Sequence, residues 1–255
     1  MPDSLKGRTA LVTGGGRGIG RAIALALGRE GGALILTGRT PDRLRGVARE
    51  LAELGGPEPL VQVMDVADHG AVKMALDRIR AERATIDILI NNAGIAESEP
   101  LARTELALWE RHFAINATAP YLFTRALLPG MVERGWGRVV NIASTAGLAG
   151  APYIAAYAAS KHALVGLTRV VAAETKDTGV TVNAVCPGFV ATELTSRAAR
   201  RISEKTGKPV AEALGSLARF NESGRLVEPE QVAAVVLELV SDAGAGRSGE
   251  TVVIS

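Results

Sequence analysis

Apolar and polar positions along the chain follow two periods. Short apolar runs rich in β-branched residues occupy 9–12, 33–37, 60–64, 86–90, 137–142, 181–185 and 252–254, and between them apolar residues recur at helical spacing. The pattern predicts strands at the short runs. It predicts helices over 18–30, after Pro41, after Asp68, over about 104–132, around Tyr157 and from Pro229, with an irregular helical region after the sixth strand. Seven such strand–helix units imply a parallel sheet with helices on both faces, and the almost unbroken apolar character of the strands fits burial from both sides. The expected fold class is α/β, one doubly wound domain over residues 1–255 on a seven-stranded parallel sheet.

In an open sheet of this kind a ligand lies beyond the carboxyl ends of the strands. The first strand is followed by Thr13-Gly14-Gly-Gly-Arg17-Gly18-Ile19-Gly20. Glycines there let the backbone turn tightly, and the next helix presents free N–H groups and the positive end of its dipole to a phosphate. The turn reads T-G-x-x-x-G-x-G; Ile19 stands where G-x-G-x-x-G needs its last glycine. The second strand ends in Leu36-Thr37-Gly38-Arg39-Thr40. No carboxylate is available there for a ribose 2′-hydroxyl, whereas Arg39 offers a donor fork suited to a 2′-phosphate and Arg17 a second cation. NADP(H) is therefore favoured over NAD(H). Asp65-Val66, Asn91-Asn92-Ala93-Gly94, Ser144-Thr-Ala-Gly147 and Cys186-Pro187-Gly188-Phe-Val190-Ala-Thr192 end the next four strands. Taken singly these are ordinary turn and cap residues; lined along one rim they outline a site.

Tyr157 and Lys161 stand four residues apart, which on a helix stacks phenol and ammonium on one face. A phenol titrates about three units above neutrality, so roughly 4 kcal/mol from a fixed cation brings it into the physiological range. Lys161 is thus expected to lower the Tyr157 pKa. Pro120 has no N–H to give to the carbonyl of Asn116, four residues earlier, so a kink freeing that carbonyl is expected inside the predicted 104–132 helix.

Composition narrows the partners. Lys and Arg number 29 against 27 Asp and Glu, a net charge of +2, and the basic residues are scattered rather than striped with aromatics, which argues against nucleic acid. The lone Cys186 excludes an internal disulfide framework, and no base beside it suggests a reactive thiol; it is expected to pack near the site. The first residues lack the apolar core of a signal peptide, and no apolar run approaches the roughly 20 residues needed to span a bilayer. The expectation is a soluble cytoplasmic protein without membrane or metal partners.

From residue 7 to its end the chain resembles the short-chain dehydrogenase/reductase family. The resemblance rests on T-G-x-x-x-G-x-G at 13–20, Asp65-Val66, Asn91-Asn-Ala-Gly94, Asn116, Ser144, Tyr157-x-x-x-Lys161 and Pro187-Gly188 with Thr192, in order and spacing, including the 13 residues from Ser144 to Tyr157. It implies a Rossmann-like domain that moves hydride between a nicotinamide and a carbonyl or secondary alcohol. Asn116, Ser144, Tyr157 and Lys161 are then the catalytic set. Tyr157 would be the acid, Ser144 would aim the substrate oxygen, and Lys161 would tune Tyr157 and hold the nicotinamide ribose. The Asn116 carbonyl would hold a water linking Lys161 to solvent. The resemblance places Gly14, Arg17 and Ile19 at the pyrophosphate, counts Gly18 and Gly20 of the same turn among the cofactor-binding residues, and places Arg39 at the adenosine phosphate. It places Asp65 and Val66 beside the adenine, Asn91, Ala93 and Gly94 near the ribose, and Pro187, Gly188, Val190 and Thr192 at the nicotinamide.

Substrate choice is expected from the segment 192–226. Its Arg197, Arg200, Arg201, Lys205 and Lys208 could meet phosphates of coenzyme A or an acyl carrier protein, or could simply be a solvated face. Leu194, Ala198 and Leu214 are expected in pocket or core, and Ala93, Leu148 and Tyr153 along a substrate channel. His112 and His162 are assigned surface or structural roles. A 3-oxoacyl thioester ketoreductase is the favoured reading. An NAD-linked dehydrogenase of an alicyclic or hydroxyacyl-CoA alcohol is the alternative, and a cofactor sensor without turnover is a third. The family implies a homotetramer or homodimer, although the chain ends soon after its last strand.

Overall fold

The computed structural model describes residues 4–82 and 85–255. Strands β1 (Thr9–Thr13), β2 (Ala33–Gly38) and β3 (Leu60–Val63) alternate with helices α1 (Gly18–Arg29), α2 (Pro41–Glu53) and α3 (His69–Glu82). After β4 (Ile88–Asn91) come α4 (Leu106–Phe113) and α5 (Ala119–Glu133), then β5 (Gly137–Ile142), α6 (Ala155–Glu174) and β6 (Val180–Pro187). The chain closes with α7 (Glu193–Thr206), α8 (Val210–Ala218), α9 (Pro229–Val240) and β7 (Thr251–Ile254).

The seven strands form one parallel sheet in the order β3-β2-β1-β4-β5-β6-β7. The expected α/β architecture is thus found. The chain runs outward from β1 to β3 and returns to place β4 on the other side of β1. Strand order therefore reverses between β1 and β4, where the turns that follow them part and leave a crevice.

Successive strand residues point to opposite faces, and each face has its own core. Ala10, Val12, Leu34, Leu36, Ile88 and Ile90 pack under α1, α2 and α9. Leu11, Ile35, Leu89, Val139 and Val182 pack under α3, α5 and α6. Helices α7 and α8 stand apart from both layers. Ala199, Ala213 and Leu217 make a small cluster of their own with Phe189 and Ile202, so this arm is held largely by its own contacts and by the rim it lies against.

The helix expected over 104–132 is found as α4 and α5 joined by a π-helical turn, Ala114–Thr118. Pro120 cannot close the ordinary bond to the Asn116 carbonyl, and the extra residue of a π turn absorbs the gap: the N–H of Ala119 reaches the carbonyl of Ala114, five residues back. The irregular region after β6 resolves into α7 and α8, separated by Gly207 and Pro209. Among the described residues no helix is long and apolar enough to cross a membrane.

Candidate active site

A cleft of about 480 Å³ opens over the carboxyl ends of the strands at the β1–β4 crevice. Its floor is the turn after β1, locked to the end of β4. The Thr13 hydroxyl accepts from the N–H groups of Asn92 (2.9 Å) and Ala93 (3.0 Å), and the Asn92 amide donates to the carbonyls of Thr13 (2.8 Å) and Gly14 (3.2 Å). Gly20 must lack a side chain, because a Cβ there would lie 2.3 Å from the Gly14 carbonyl oxygen and 2.5 Å from Asn92 Nδ2. The first turn of α1 is thereby pressed against the loop, and its N–H groups face the cleft.

The outer end of the cleft is basic. Arg17 comes from the glycine turn, Arg39 follows Gly38 at the end of β2, and Arg43 sits in the first turn of α2, with Thr40 between the last two. Arg39 lies 3.7 Å from Asp65. Arg17 and Arg43 both bond Glu193, the first residue of α7, Arg43 at 2.9 Å. These two arginines hold the Glu193 carboxyl down at about 2, although it is solvent-exposed.

The inner end is buried. Lys161 Nζ donates to the carbonyl of Ile142, the last residue of β5, at 2.7 Å and lies 6.0 Å from the centre of the Tyr157 ring. Removal from water pushes Lys161 down to about 8, against a small upward pull from Cys186. Burial pushes the Tyr157 phenol up from its ordinary 10.0, the hydrogen bond of Ser144 pulls it back in part, and Cys186 adds to the rise. The direction is opposite to the expected lowering of Tyr157: burial is the largest cause for each group and shifts both toward their neutral forms.

Asn116 supports this end from behind. Its side chain accepts from the Ile95 N–H and donates to the Ile95 carbonyl and the Ser160 hydroxyl, each at 3.0 Å, and Ser160 donates to the Tyr157 carbonyl at 2.8 Å. His112, also fully buried, lies edge-on to Tyr157 with ring centres 6.4 Å apart. Its Nε2 accepts from the Glu97 N–H at 3.1 Å, so its Nδ1 must carry the proton bonded to the Leu108 carbonyl at 2.8 Å. The loop after Gly94 is thus fastened by two buried side chains. His112 has the structural role expected of it; His162 is exposed and bonds its own helix at the Ala158 carbonyl.

Of the residues expected to bind cofactor, Gly14, Arg17, Gly18, Ile19, Gly20, Arg39, Asp65, Val66, Ala93, Gly94, Tyr157, Lys161 and Thr192 line the cleft. Asn91, Asn116, Ser144, Pro187, Gly188 and Val190 are not on its wall. Asn91 points inward to Asn141 (2.8 Å) and Thr124 (3.3 Å). Gly188 lies against Asn221, and Val190 is buried beside Val227. Ser144 caps the short turn Thr145–Gly147 through the Ala146 N–H. Cys186 is buried among Ala143, Leu164, Val165 and Ala184, and burial pushes its thiol up, as expected of an unreactive group. In the arm, Leu194 and Arg197 reach the cleft, Ala198 and Leu214 pack within the arm, Arg201 lies 3.8 Å from Glu97, and Lys208 bonds Glu212 at 2.7 Å. Leu148 and Tyr153 are exposed rather than on the cleft wall. Tyr153 has a positive φ of 70° and accepts the Glu99 N–H at 2.7 Å. Arg43, Asn92 and Glu193 were missed; Arg43 was within reach, standing four residues beyond Arg39 in the first turn of a predicted helix.

Known proteins share this arrangement. The sequence pattern of the short chain dehydrogenase family matches residues 8–202. The D-beta-hydroxybutyrate dehydrogenase of Cupriavidus necator is 38% identical over 248 residues, covering 94% of this chain and 93% of its own. The 3-oxoacyl-[acyl-carrier-protein] reductase of Aquifex aeolicus is 35% identical over 252 residues, covering 99% and 97%. A crystal structure of actinorhodin polyketide ketoreductase with NADPH superimposes with a TM-score of 0.92 at 34% identity, over 100% of this chain and 97% of that one. With a tyrosine–lysine pair at the inner end of the crevice and a glycine turn at its floor, the chain belongs to the short-chain dehydrogenase family and is an oxidoreductase.

Proposed function

We propose that the protein is an NADPH-dependent ketoreductase acting on a 3-oxoacyl thioester of coenzyme A or an acyl carrier protein. The observation that carries the reading is one cleft with Tyr157 and Lys161 on its inner wall and Arg17, Arg39 and Arg43 at its outer end. Its volume and basic outer end suit a phosphate-bearing dinucleotide. The end of β2 offers no carboxylate to a ribose and three cations stand nearby, which fits a 2′-phosphate. When bound, the nicotinamide supplies the hydride that reaches the carbonyl carbon.

The chain's own residues do the rest. Tyr157 donates its phenolic proton to the carbonyl oxygen, which becomes the alcohol, and Ser144, off the cleft wall but hydrogen-bonded to the phenol, would keep that oxygen aimed at it. Burial holds the phenol in its protonated form, the form that the acid of a reduction needs. Lys161 would hold the nicotinamide ribose and return a proton to Tyr157, and the π turn at Ala114–Thr118 sets the Asn116 backbone beside this end, where its carbonyl would lead that proton in from solvent. Leu194 and Arg197 of the arm, at the mouth of the cleft, meet the acyl chain and a phosphate of its carrier.

We further infer a cytoplasmic homotetramer or homodimer. Leu106 and Trp109 on α4, Tyr121 and Val132 on α5 and Val170 on α6 are exposed apolar side chains that assembly would cover, and light scattering would give the mass.

The functional test follows loss of NADPH absorbance with acetoacetyl thioesters, alicyclic ketones and free 3-oxo acids, and again with NADH. Turnover is expected with thioesters, faster with NADPH, and Arg39→Asp should reverse that preference. Binding of NADPH without turnover on any ketone would support the sensor reading. An NADH preference that Arg39→Asp leaves unchanged would overturn the phosphate assignment. Hydroxyacyl or alicyclic alcohol oxidation with NAD would favour the dehydrogenase reading.

A further inference from the structure

Glu193 is placed oddly for a residue of a substrate arm. It is the first residue of α7, yet its carboxylate lies across the outer mouth of the cleft between a guanidinium of the glycine turn and one of α2. Nη1 of Arg17 and Nη1 of Arg43 converge on the same oxygen, Oε2. Two donor forks meeting on a single oxygen are arranged as they would be around a phosphate oxygen. The neighbouring contact holds the same register: a Cβ on Gly18 would lie 3.3 Å from Thr192 Cγ2, so the start of α7 sits directly on the glycine turn.

We propose that Glu193 is a stand-in anion that sets cofactor affinity and selectivity: in the free chain its carboxylate occupies Arg17 and Arg43, and a phosphate of the incoming dinucleotide must displace it. The inference deepens the nucleotide-binding reading and rests on it. Glu193 brings one negative charge, whereas a 2′-phosphate brings about 1.5 to 2. The ion pairs it makes are half-exposed, with side-chain exposures of 40–46%, and pairs of that kind are cheap to break. Glu193 and a phosphate cannot share the same N–H donors, so the two compete. By linkage, whatever Glu193 gains from the two arginines is subtracted from phosphate binding. A carboxylate held at about 2 competes at every pH where the enzyme works.

The test is the dissociation constant of NADPH and of NADH, read from the fluorescence of the reduced cofactor, for wild type, Glu193→Gln and Glu193→Ala. Both variants should bind NADPH about fivefold more tightly, the size of a half-exposed ion pair. Tightening for NADPH alone places the displaced contact at the 2′-phosphate; equal tightening for both places it at the pyrophosphate, and either supports the proposal. Affinity unchanged or weakened in both variants overturns it and makes the bridge a clamp or an ornament of the rim. Wild-type protein that takes up neither dinucleotide overturns the nucleotide reading along with it.

Discussion

The two ends of the cleft are built from opposite kinds of electrostatics. At the inner end Asn116 and Ser160 are fully buried and Lys161 is 4% exposed, and their polar groups are bonded to backbone and to one another. At the outer end Arg17, Arg39, Arg43, Asp65 and Glu193 stand half in water and pair loosely. Desolvated polar groups are costly to leave unpaired, which holds the inner end to one arrangement; screened ion pairs exchange partners at little cost, which leaves the outer end free to change. On the proposed function, the fixed end would carry the chemistry and the displaceable end would meet the phosphates.

The sharpest break of the inner end is Lys161→Met, which keeps the length of the side chain and removes its charge. Reduction should fall by about a thousandfold, the range of a lost proton-transfer partner. Stability should move the other way. The folded pKa of Lys161 is about 8, below its ordinary 10.5, so between those values the unfolded chain holds a proton that the folded chain lacks. Wild-type stability should then rise from pH 8 to 10.5 relative to Lys161→Met, by on the order of 3 kcal/mol. At pH 7 the variant should melt no lower than wild type. A variant inactive and also clearly less stable at pH 7 would show that the Ile142 carbonyl repays the buried charge in full.

Asn116→Leu breaks the same end without touching the charge. It strips partners from the Ile95 N–H, the Ile95 carbonyl and the Ser160 hydroxyl, all buried or partly so. About 3 kcal/mol should be lost, lowering the melting temperature by roughly 6–12 °C in a chain of this size. Asn116→Asp keeps the acceptor for Ile95 but sets a carboxylate oxygen against the Ile95 carbonyl in a fully buried site, so it should cost at least as much at neutral pH. An Asp variant that melts with wild type at neutral pH would show that the acceptor alone holds the loop.

Much of this was legible in the sequence, for a physical reason. Strand burial imposes a period, parallel crossover imposes an order, and a ligand site at the strand ends tells where to look; Gly14, Arg39, Asp65, Tyr157 and Lys161 all follow from those rules and all line the cleft. What was not legible depends on the third dimension. Asn91 ends its strand as expected, but the alternation of the strand turns its side chain inward to Asn141. The spacing of Tyr157 and Lys161 spoke of attraction between charges, whereas burial, which no spacing records, decides the direction of both shifts. Glu193 and Arg43 lie 150 residues apart, and their meeting depends on where the start of α7 sits on the rim beside α2.

The outer end should respond to the same kind of substitution far more gently. Glu193→Gln removes two ion pairs, but all three side chains are half-exposed, so the melting temperature at pH 7 should stay within about 2 °C of wild type. The difference should show in acid. The Glu193 carboxyl is depressed from 4.5 to about 2 by Arg17 and Arg43, so its contribution is complete above 4.5 and is lost as the pH falls toward 2. Wild type should therefore lose stability more steeply than Glu193→Gln over that interval, and the gap between them should close in 1 M salt, where the Debye length is only about 3 Å. A gap that survives salt would mean that the bridge is shielded from solvent and acts like the inner end. A gap that vanishes would leave the two ends as different as their exposure makes them, one fixed for proton transfer and the other free to trade a carboxylate for a phosphate.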